Sequence, residues 1–311
     1  MRRAIPSISA IIPTKDRPAD LIATIKSLLQ QTVLPQQLII VDQSLRDVSQ
    51  RQVETQFQRA RREIRDSIEL CYVRDASLSG LTSARNRSLA LARSDVALFL
   101  DDDVSLESRF IEEIIRAYMT YPNAIGVGGI VTNYAPPPRL FWWWELLFVR
   151  GPFRDDRQPI YRRAASLRGS DPLPVTRLGG GLMSFRADAI CGRRFDDHLP
   201  GVGDGEDVDF CMRLEPGAVL MIAPRARLTH QQSPGGRSRD HHLRRDAQAA
   251  HYLYWRNWNR GVKNRACFWW LNLGYALMAV LGSLRRVSPE PWRALLSGAR
   301  EGKRLARRKT R

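Results

Sequence analysis

The sequence has few cysteines, and none is paired at short spacing. Cys71, Cys191, Cys211 and Cys267 are scattered along the 311-residue chain. The lack of any Cys-x-x-Cys pair excludes a zinc ribbon and a thioredoxin-type redox motif. Nothing in this pattern requires an oxidising compartment. The apolar run at residues 8–13 is shorter than the core of a signal peptide, so we expect a cytoplasmic protein.

The loop after this first apolar run lacks glycine. Residues 13–18 read PTKDRP. A Rossmann dehydrogenase would place a Gly-x-Gly-x-x-Gly motif here, and a nucleotidyltransferase would normally place a glycine-rich phosphate loop containing lysine. The sequence therefore excludes the dehydrogenase pattern. It argues against a metal-dependent nucleotidyltransferase but does not exclude that function.

Acidic residues are scarce in the last quarter of the chain. The net charge is +17, and residues 234–311 hold 18 Lys and Arg against 4 Asp and Glu, a local excess of +14. This excess predicts an anionic partner, such as a phosphate-bearing substrate, an acidic lipid or a nucleic acid. A non-catalytic basic protein that binds membranes or nucleic acid is therefore a further alternative.

Residues 266–284 contain no charged side chain, although basic residues flank them on both sides. Their number is close to the roughly 20 residues that span a bilayer, but polar and small residues weaken a spanning helix. We expect this segment to lie at the cytoplasmic face of a membrane, attracted to anionic lipid, with no nucleic-acid partner. The alternative is a helix buried against the rest of the protein.

The first half of the chain alternates short apolar runs with amphipathic segments of helical spacing. Such alternation predicts an α/β fold with a mostly parallel sheet flanked by helices. The remaining sequence predicts an insertion at about residues 134–175 and a basic, helical extension at residues 233–311, after a catalytic domain at residues 1–232. The predicted strands lie at residues 8–12, 38–41, 68–73, 96–100, 124–130, 178–186 and 218–222, and the predicted helices at 19–31, 48–65, 82–92, 106–119, 205–214 and 239–265.

Polar residues follow three of the predicted strands, at positions 13–16, 42–44 and 101–103. Ligands bind beyond the carboxyl ends of the strands in such sheets, so we expect these clusters to converge on one edge. The third cluster is Asp101-Asp102-Asp103, whose carboxylates repel one another unless a cation compensates them. Phosphate-bound Mg²⁺ or Mn²⁺ would do so. The alternative is an acidic turn in which Asp103 or Ser105 caps the next helix.

Four motifs follow one another along the chain. They are IIPTKDRPADLIATIKSLLQQT with LIIVDQS, GLTSARNRSLALARSDVALFLDDDV, GEDVDFCMRL and YLYWRNWNR. In this order they resemble family 2 of the glycosyltransferases with the GT-A fold. The resemblance covers residues 7–132 and 178–265 and is weak across 134–175. It implies a Rossmann-like GT-A domain that moves a sugar from a nucleotide-diphosphate donor, with UDP the expected nucleotide, to a hydroxyl on a glycan or lipid-linked glycan.

Carried to this sequence, the resemblance implies a role for individual residues. Asp103 would hold the divalent cation, with His230 as a second ligand. Asp207 would be the base that deprotonates the acceptor, and a single base without a covalent nucleophile implies inversion at the sugar. Position 16 departs from the family pattern, because Asp stands where Asn is common. The residues implied in donor binding are Pro13, Thr14, Asp42, Arg85, Asp101 and Asp102.

Three of these roles have simpler explanations. Asp207 and its acidic neighbours Glu206 and Asp209 can be acids that complement a helix dipole. His230 can be a turn or core histidine. Arg85 can be an ordinary charge on a helix surface.

Overall fold

The computed structural model describes residues 4–134, 138–150, 167, 169, 171–199, 205–231, 242–258 and 261–308. They fall into two compact units. The first unit takes its residues from Met1–Ala135, Arg157–Phe195 and Leu214–Ser233, and the second from Pro136–Asp156, Asp196–Arg213 and Pro234–Arg311. The predicted domain boundary at residues 232 and 233 lies outside the described residues, as do positions 135–137, 151–166, 168 and 170 of the predicted insertion.

The first unit is built on one mixed sheet. Its strands are β1 Ile8–Thr14, β2 Gln37–Asp42, β3 Glu69–Arg74, β4 Val96–Leu100, β5 Val104–Leu106, β6 Ala124–Val131, β7 Leu173–Val175, β8 Leu182–Arg186 and β9 Val219–His230. They run in the order β3-β2-β1-β4-β8-β6-β9-β5, and β7 pairs with β9. From β3 to β4 the pairing is parallel, whereas β8 is antiparallel to both β4 and β6.

Buried apolar strands explain the parallel part of the sheet. Every residue of β1, β2 and β4 is buried, as expected of strands with helices on both faces. The predicted α/β fold with helices flanking the sheet is thus confirmed. The helices of this unit are Pro18–Leu29, Val48–Arg59, Arg62–Ser67, Gly80–Leu89 and Phe110–Thr120.

Two predicted helices of this unit differ from the structure by more than a few terminal residues. The segment predicted at 48–65 forms two helices, because Ala60 and Arg61 adopt extended backbone angles that end the first. The helix predicted at 106–119 begins only at Phe110, and β5 precedes it. Asp103 and Ser105 therefore do not cap this helix, and that explanation of the acidic cluster is wrong.

The second unit is helical in its described residues. Gly298 and Gly302 bring two of its helices into close contact, since a Cβ atom on them would lie 2.1 Å from the Arg244 carbonyl oxygen and 2.2 Å from that of Gln248. The helices are Arg139–Trp144, Glu206–Met212, His242–Leu253, Val262–Arg286 and Glu290–Ala306, with π-helical turns at Glu145–Arg150 and Tyr254–Trp258.

Candidate active site

The acidic cluster lies where β4 ends, and β9 brings a histidine to it. In the antiparallel pairing of β5 with β9, Val104 is opposite His230. This register places His230 Nε2 3.1 Å from Asp103 Oδ1 and 3.3 Å from Asp101 Oδ2. One ligand atom from each residue lies within 4.8 Å of the others. Strand pairing thus assembles the three side chains that the sequence analysis named.

This cluster has the donor set of a divalent cation site. Carboxylate oxygens suit Mg²⁺ and Mn²⁺, and an imidazole nitrogen is a common additional ligand. Burial disfavours a charge on His230, but its hydrogen bonds to Asp101 and Asp103 outweigh this and raise its pKa to about 9. The negative charge of the two aspartates therefore favours a cation at this position. The residues fit the metal that the sequence predicted.

Asp102 is not one of the three cluster residues, and its side chain links the end of β4 to the end of β1. Its Oδ2 accepts a hydrogen bond of 2.7 Å from the Thr14 hydroxyl, and Arg17 lies 3.3 Å from its Oδ1. Burial raises the pKa of Asp102 to about 6, against the lowering effects of Thr14 and Arg17. Arg17 also lies 3.6 Å from Asp103. Arg17 was not among the predicted site residues, although a cation in the loop after β1 is a signal that this loop meets the acidic cluster.

Arg85 is a buried charge and not a helix-surface residue. It is 1% exposed, and its guanidinium lies 5.4 Å from the centre of the Phe195 ring. Its Nη2 donates to the Gly180 carbonyl oxygen at 2.9 Å and lies 3.8 Å from Asp101 Oδ1. The simple explanation of Arg85 is therefore wrong, because the residue faces the acidic cluster from inside the fold.

The glycines before β8 leave room for these two side chains. A Cβ atom on Gly181 would lie 2.2 Å from Asp101 Oδ2, and one on Gly180 would lie 2.9 Å from Arg85 Nη2. Larger residues here would displace the carboxylate or the guanidinium. The need for glycine thus comes from the packing of Asp101 and Arg85.

The ends of β1 and β2 form the neighbouring part of the same edge. Their register sets Pro13 against Val41 and Thr14 against Asp42. Asp42 is fully buried, and its oxygens accept hydrogen bonds from Ser44 and from the Tyr72 hydroxyl, the latter at 2.6 Å. Burial and then Asp42 raise the pKa of Tyr72, so the phenol stays protonated.

The loop after β1 is fixed to β2 through position 16. The Asp16 amide donates to Ser44 Oγ at 2.7 Å. Its φ of 54° lies in the left-handed region, which Asp and Asn tolerate better than most residues. The three polar clusters of the sequence analysis therefore meet at one edge of the sheet, as predicted.

Asp207 belongs to the second unit, in the first turn of Glu206–Met212. The three acids of this turn differ in environment. Glu206 and Asp209 are buried. Asp209 forms an ion pair with Arg213 at 2.9 Å and accepts a hydrogen bond of 2.9 Å from Asn257 Nδ2. Asp207 is half-buried and accepts a hydrogen bond from the Val208 amide. Asn257 comes from the predicted YLYWRNWNR motif, so this motif anchors the helix that carries Asp207.

Comparison with known proteins agrees with this architecture. Residues 9–187 match the family described as glycosyl transferase family 2. A glucosyl-dolichyl phosphate glucuronosyltransferase from Haloferax volcanii is 24% identical over 220 residues, which are 67% of this chain and 63% of the relative. The chain thus spans less than two thirds of that relative.

Solved structures share the fold at low identity. A mannosyltransferase from Pyrobaculum calidifontis, in complex with GDP-Man and Mn²⁺, has a TM-score of 0.57 and 15% identity over 97% of this chain and 86% of its own. GalNAc-T7 with UDP, GalNAc and Mn²⁺ has a TM-score of 0.56 and 16% identity over 81% of this chain and 50% of its own. Because the family match covers more than half of its sequence, this chain belongs to glycosyl transferase family 2.

Proposed function

We propose that this protein is an inverting glycosyltransferase that takes a sugar from a UDP-linked donor. The observation that carries the proposal is the cluster of Asp101, Asp103 and His230 at the edge where β1, β2 and β4 end. Family membership supports it. The Haloferax volcanii relative, named for a dolichyl phosphate substrate, supports a lipid-linked glycan as the acceptor.

Asp103, Asp101 and His230 would hold a Mg²⁺ or Mn²⁺ ion, which supplies Lewis-acid stabilisation to the departing diphosphate. Arg85 and Arg17 contribute positive charge next to Asp101 and Asp103, respectively. Pro13, Thr14 and Asp42 bind the nucleoside, and Asp102 orients Thr14.

Asp207 acts as the general base in this proposal. The acceptor oxygen forms a bond to the anomeric carbon while the bond to the diphosphate oxygen breaks. The hydroxyl proton passes to the Asp207 carboxylate, and the nucleoside diphosphate leaves with the electrons of the broken bond. A single displacement of this kind inverts the anomeric configuration.

A donor screen tests the proposed reaction. With Mn²⁺ present, we expect one or a few nucleotide sugars to release nucleoside diphosphate above background, and chelation to remove the signal. A nucleotidyltransferase would instead release pyrophosphate from a nucleoside triphosphate. Pyrophosphate release without diphosphate release would contradict the proposal, and no turnover with any donor would favour the non-catalytic alternative.

We further propose that the second unit holds the protein at the cytoplasmic face of a membrane. Helix Val262–Arg286 is long and apolar enough to cross a bilayer by length and composition, and less than a third of its apolar stretch is buried. Trp269, Leu273 and Leu284 on this helix are each more than half exposed. Basic residues at both of its ends favour anionic lipid and an interfacial position.

Fractionation and vesicle binding test this placement. We expect the full chain to pellet with membranes, high salt or carbonate to release much of it, and Leu273→Asp to weaken binding to anionic vesicles because it puts a charge on the exposed apolar face. Leu45→Asp is the control, since Leu45 is the same residue type and is more exposed than Leu273 (82% against 54%) but lies in the first unit. A protein that stays soluble and ignores anionic vesicles would contradict the proposal.

A further inference from the structure

The second unit contains an apolar groove of about 710 Å³. One wall comes from the segment 138–148 and the other from helix Val262–Arg286. Its volume lies within the range of about 300–1,000 Å³ that is usual for small-molecule sites. Among the described residues, Arg285 is the only charged one that lines it. The groove-lining residues used below are Leu140, Trp143, Leu147, Leu277, Leu281 and Arg285.

The side chains that line this groove are apolar yet remain open to solvent. Leu140 is 76% exposed, Trp143 63% and Leu147 55%. Across the groove, Leu277 is 44% exposed and Leu281 51%. Contiguous apolar surface of this kind marks a ligand groove or an interaction surface. A hydrogen bond holds the first wall against helix Val262–Arg286, since Trp144 Nε1 donates to the Gly274 carbonyl oxygen at 3.0 Å.

A cationic cavity of about 540 Å³ adjoins the groove. The two share Met278 and Gly282 as lining residues. In the part of the chain that the structure describes, Glu290 is the one acid that lines the cavity, and it pairs with Arg293 at 3.2 Å. The basic residues that line the cavity are His242, Arg244, Arg286 and Arg293.

Together these features select an amphiphile with one anionic end. An apolar channel accepts a hydrocarbon chain, and arginines bind phosphate through planar, charge-assisted hydrogen bonds. Arg285, which lines the groove and is exposed, adds a further cation. A second protein copy would need an acidic as well as an apolar surface, whereas a phosphate-bearing lipid has both properties in one molecule.

We infer that this paired site binds an isoprenoid or acyl phosphate, with the hydrocarbon tail in the groove and the phosphate in the cationic cavity. The inference rests on the proposed function only in identifying this lipid as the carrier of the acceptor glycan. Binding itself requires no transfer reaction.

Isothermal titration of the full chain with farnesyl phosphate tests the inference. Farnesol supplies the tail alone and inorganic phosphate the head alone, and we expect each to bind at least about tenfold more weakly than farnesyl phosphate. Leu277→Asp should weaken farnesyl phosphate binding at least about tenfold, since it buries a carboxylate beside the tail. Arg244→Glu should weaken it similarly by repelling the phosphate.

Two matched variants separate this site from a general membrane surface. Leu273→Asp changes the same helix outside the groove, and Arg300→Glu changes an exposed arginine outside the cavity. Both should bind farnesyl phosphate like the unmodified protein, although Leu273→Asp binds vesicles less well. Circular dichroism confirms that each variant is folded.

Several outcomes would overturn the inference. Equal affinity for farnesol and farnesyl phosphate would eliminate phosphate recognition. An equal loss in Leu273→Asp would make the groove part of a non-specific apolar surface. If light scattering shows that Leu277→Asp alone dissociates a dimer, the groove is an interface between copies. Metal-dependent donor binding, measured in the same variants, reports on the proposed function separately, because it depends on residues of the first unit.

Discussion

Asp103→Ala is expected to abolish metal-dependent donor binding while the protein stays folded. Asp103 is 4% exposed, and its Oδ1 lies 3.1 Å from His230 Nε2, so its removal takes an anionic oxygen from the centre of the cluster. Even residues that only support metal ligands reduce affinity about 10–100-fold when they are changed, so loss of a ligand should exceed this. Calorimetry with the UDP-sugar identified in the donor screen, with and without Mn²⁺, measures the effect.

The fold should tolerate this change because the backbone of Asp103, and not its side chain, forms the hydrogen bond that holds this turn to the end of β9. The Asp103 carbonyl oxygen accepts this hydrogen bond from the Gln231 amide at 2.8 Å. Asp95→Ala is the matched control, since Asp95 precedes the same strand at its other end and contacts Ser7. It should retain donor binding. Undiminished donor affinity in Asp103→Ala, or full activity in chelator, would show that this cluster does not hold the metal.

The parallel half of the sheet could be predicted because its sequence signal is local. Runs such as VALFL are buried from end to end and stop at polar residues, so both the strand and its carboxyl end are visible in the chain. The three-residue strand Val104–Leu106 could not be predicted in the same way. It is too short to show a period of two, and its identity comes from pairing with β9.

The acidic cluster was visible in the sequence, but several contacts of the predicted site residues were not. Arg17, Tyr72 and Gly181 contact predicted site residues through the fold. The sequence around Tyr72 and Gly181 gives no sign of these contacts, and for Arg17 only its place in the loop after β1 does. Asp102 illustrates the same limit, since two adjacent carboxylates face the cation site while the third binds Thr14. Asp102 and Asp103 lie in the turn between β4 and β5, and the backbone path of this turn decides which carboxylates face the cation site.

Asp207→Asn is expected to keep donor binding and to lower turnover at least about 100-fold, the usual scale for loss of a general base. The amide has the size of the carboxylate but does not accept a proton. The hydrogen bond from the Val208 amide to Oδ1 can be retained by the amide oxygen, so helix Glu206–Met212 should still form. Nucleoside diphosphate release at saturating donor and acceptor, compared with donor affinity by calorimetry, separates chemistry from binding.

Burial distinguishes Asp207, which the family resemblance implies as the base, from the two other acids of this turn. Asp209 is fully buried and committed to Arg213 and Asn257, so its replacement should destabilise the protein and cannot serve as a control. Glu206 is 4% exposed, whereas Asp207 is half-buried and reaches solvent, which a base needs in order to meet an acceptor hydroxyl. Glu206→Gln is therefore the matched variant, and it should retain most of the turnover. Normal turnover in Asp207→Asn together with a loss of turnover in Glu206→Gln would show that Glu206, and not Asp207, is the base. Normal turnover in both variants would show that neither acid takes part in the reaction.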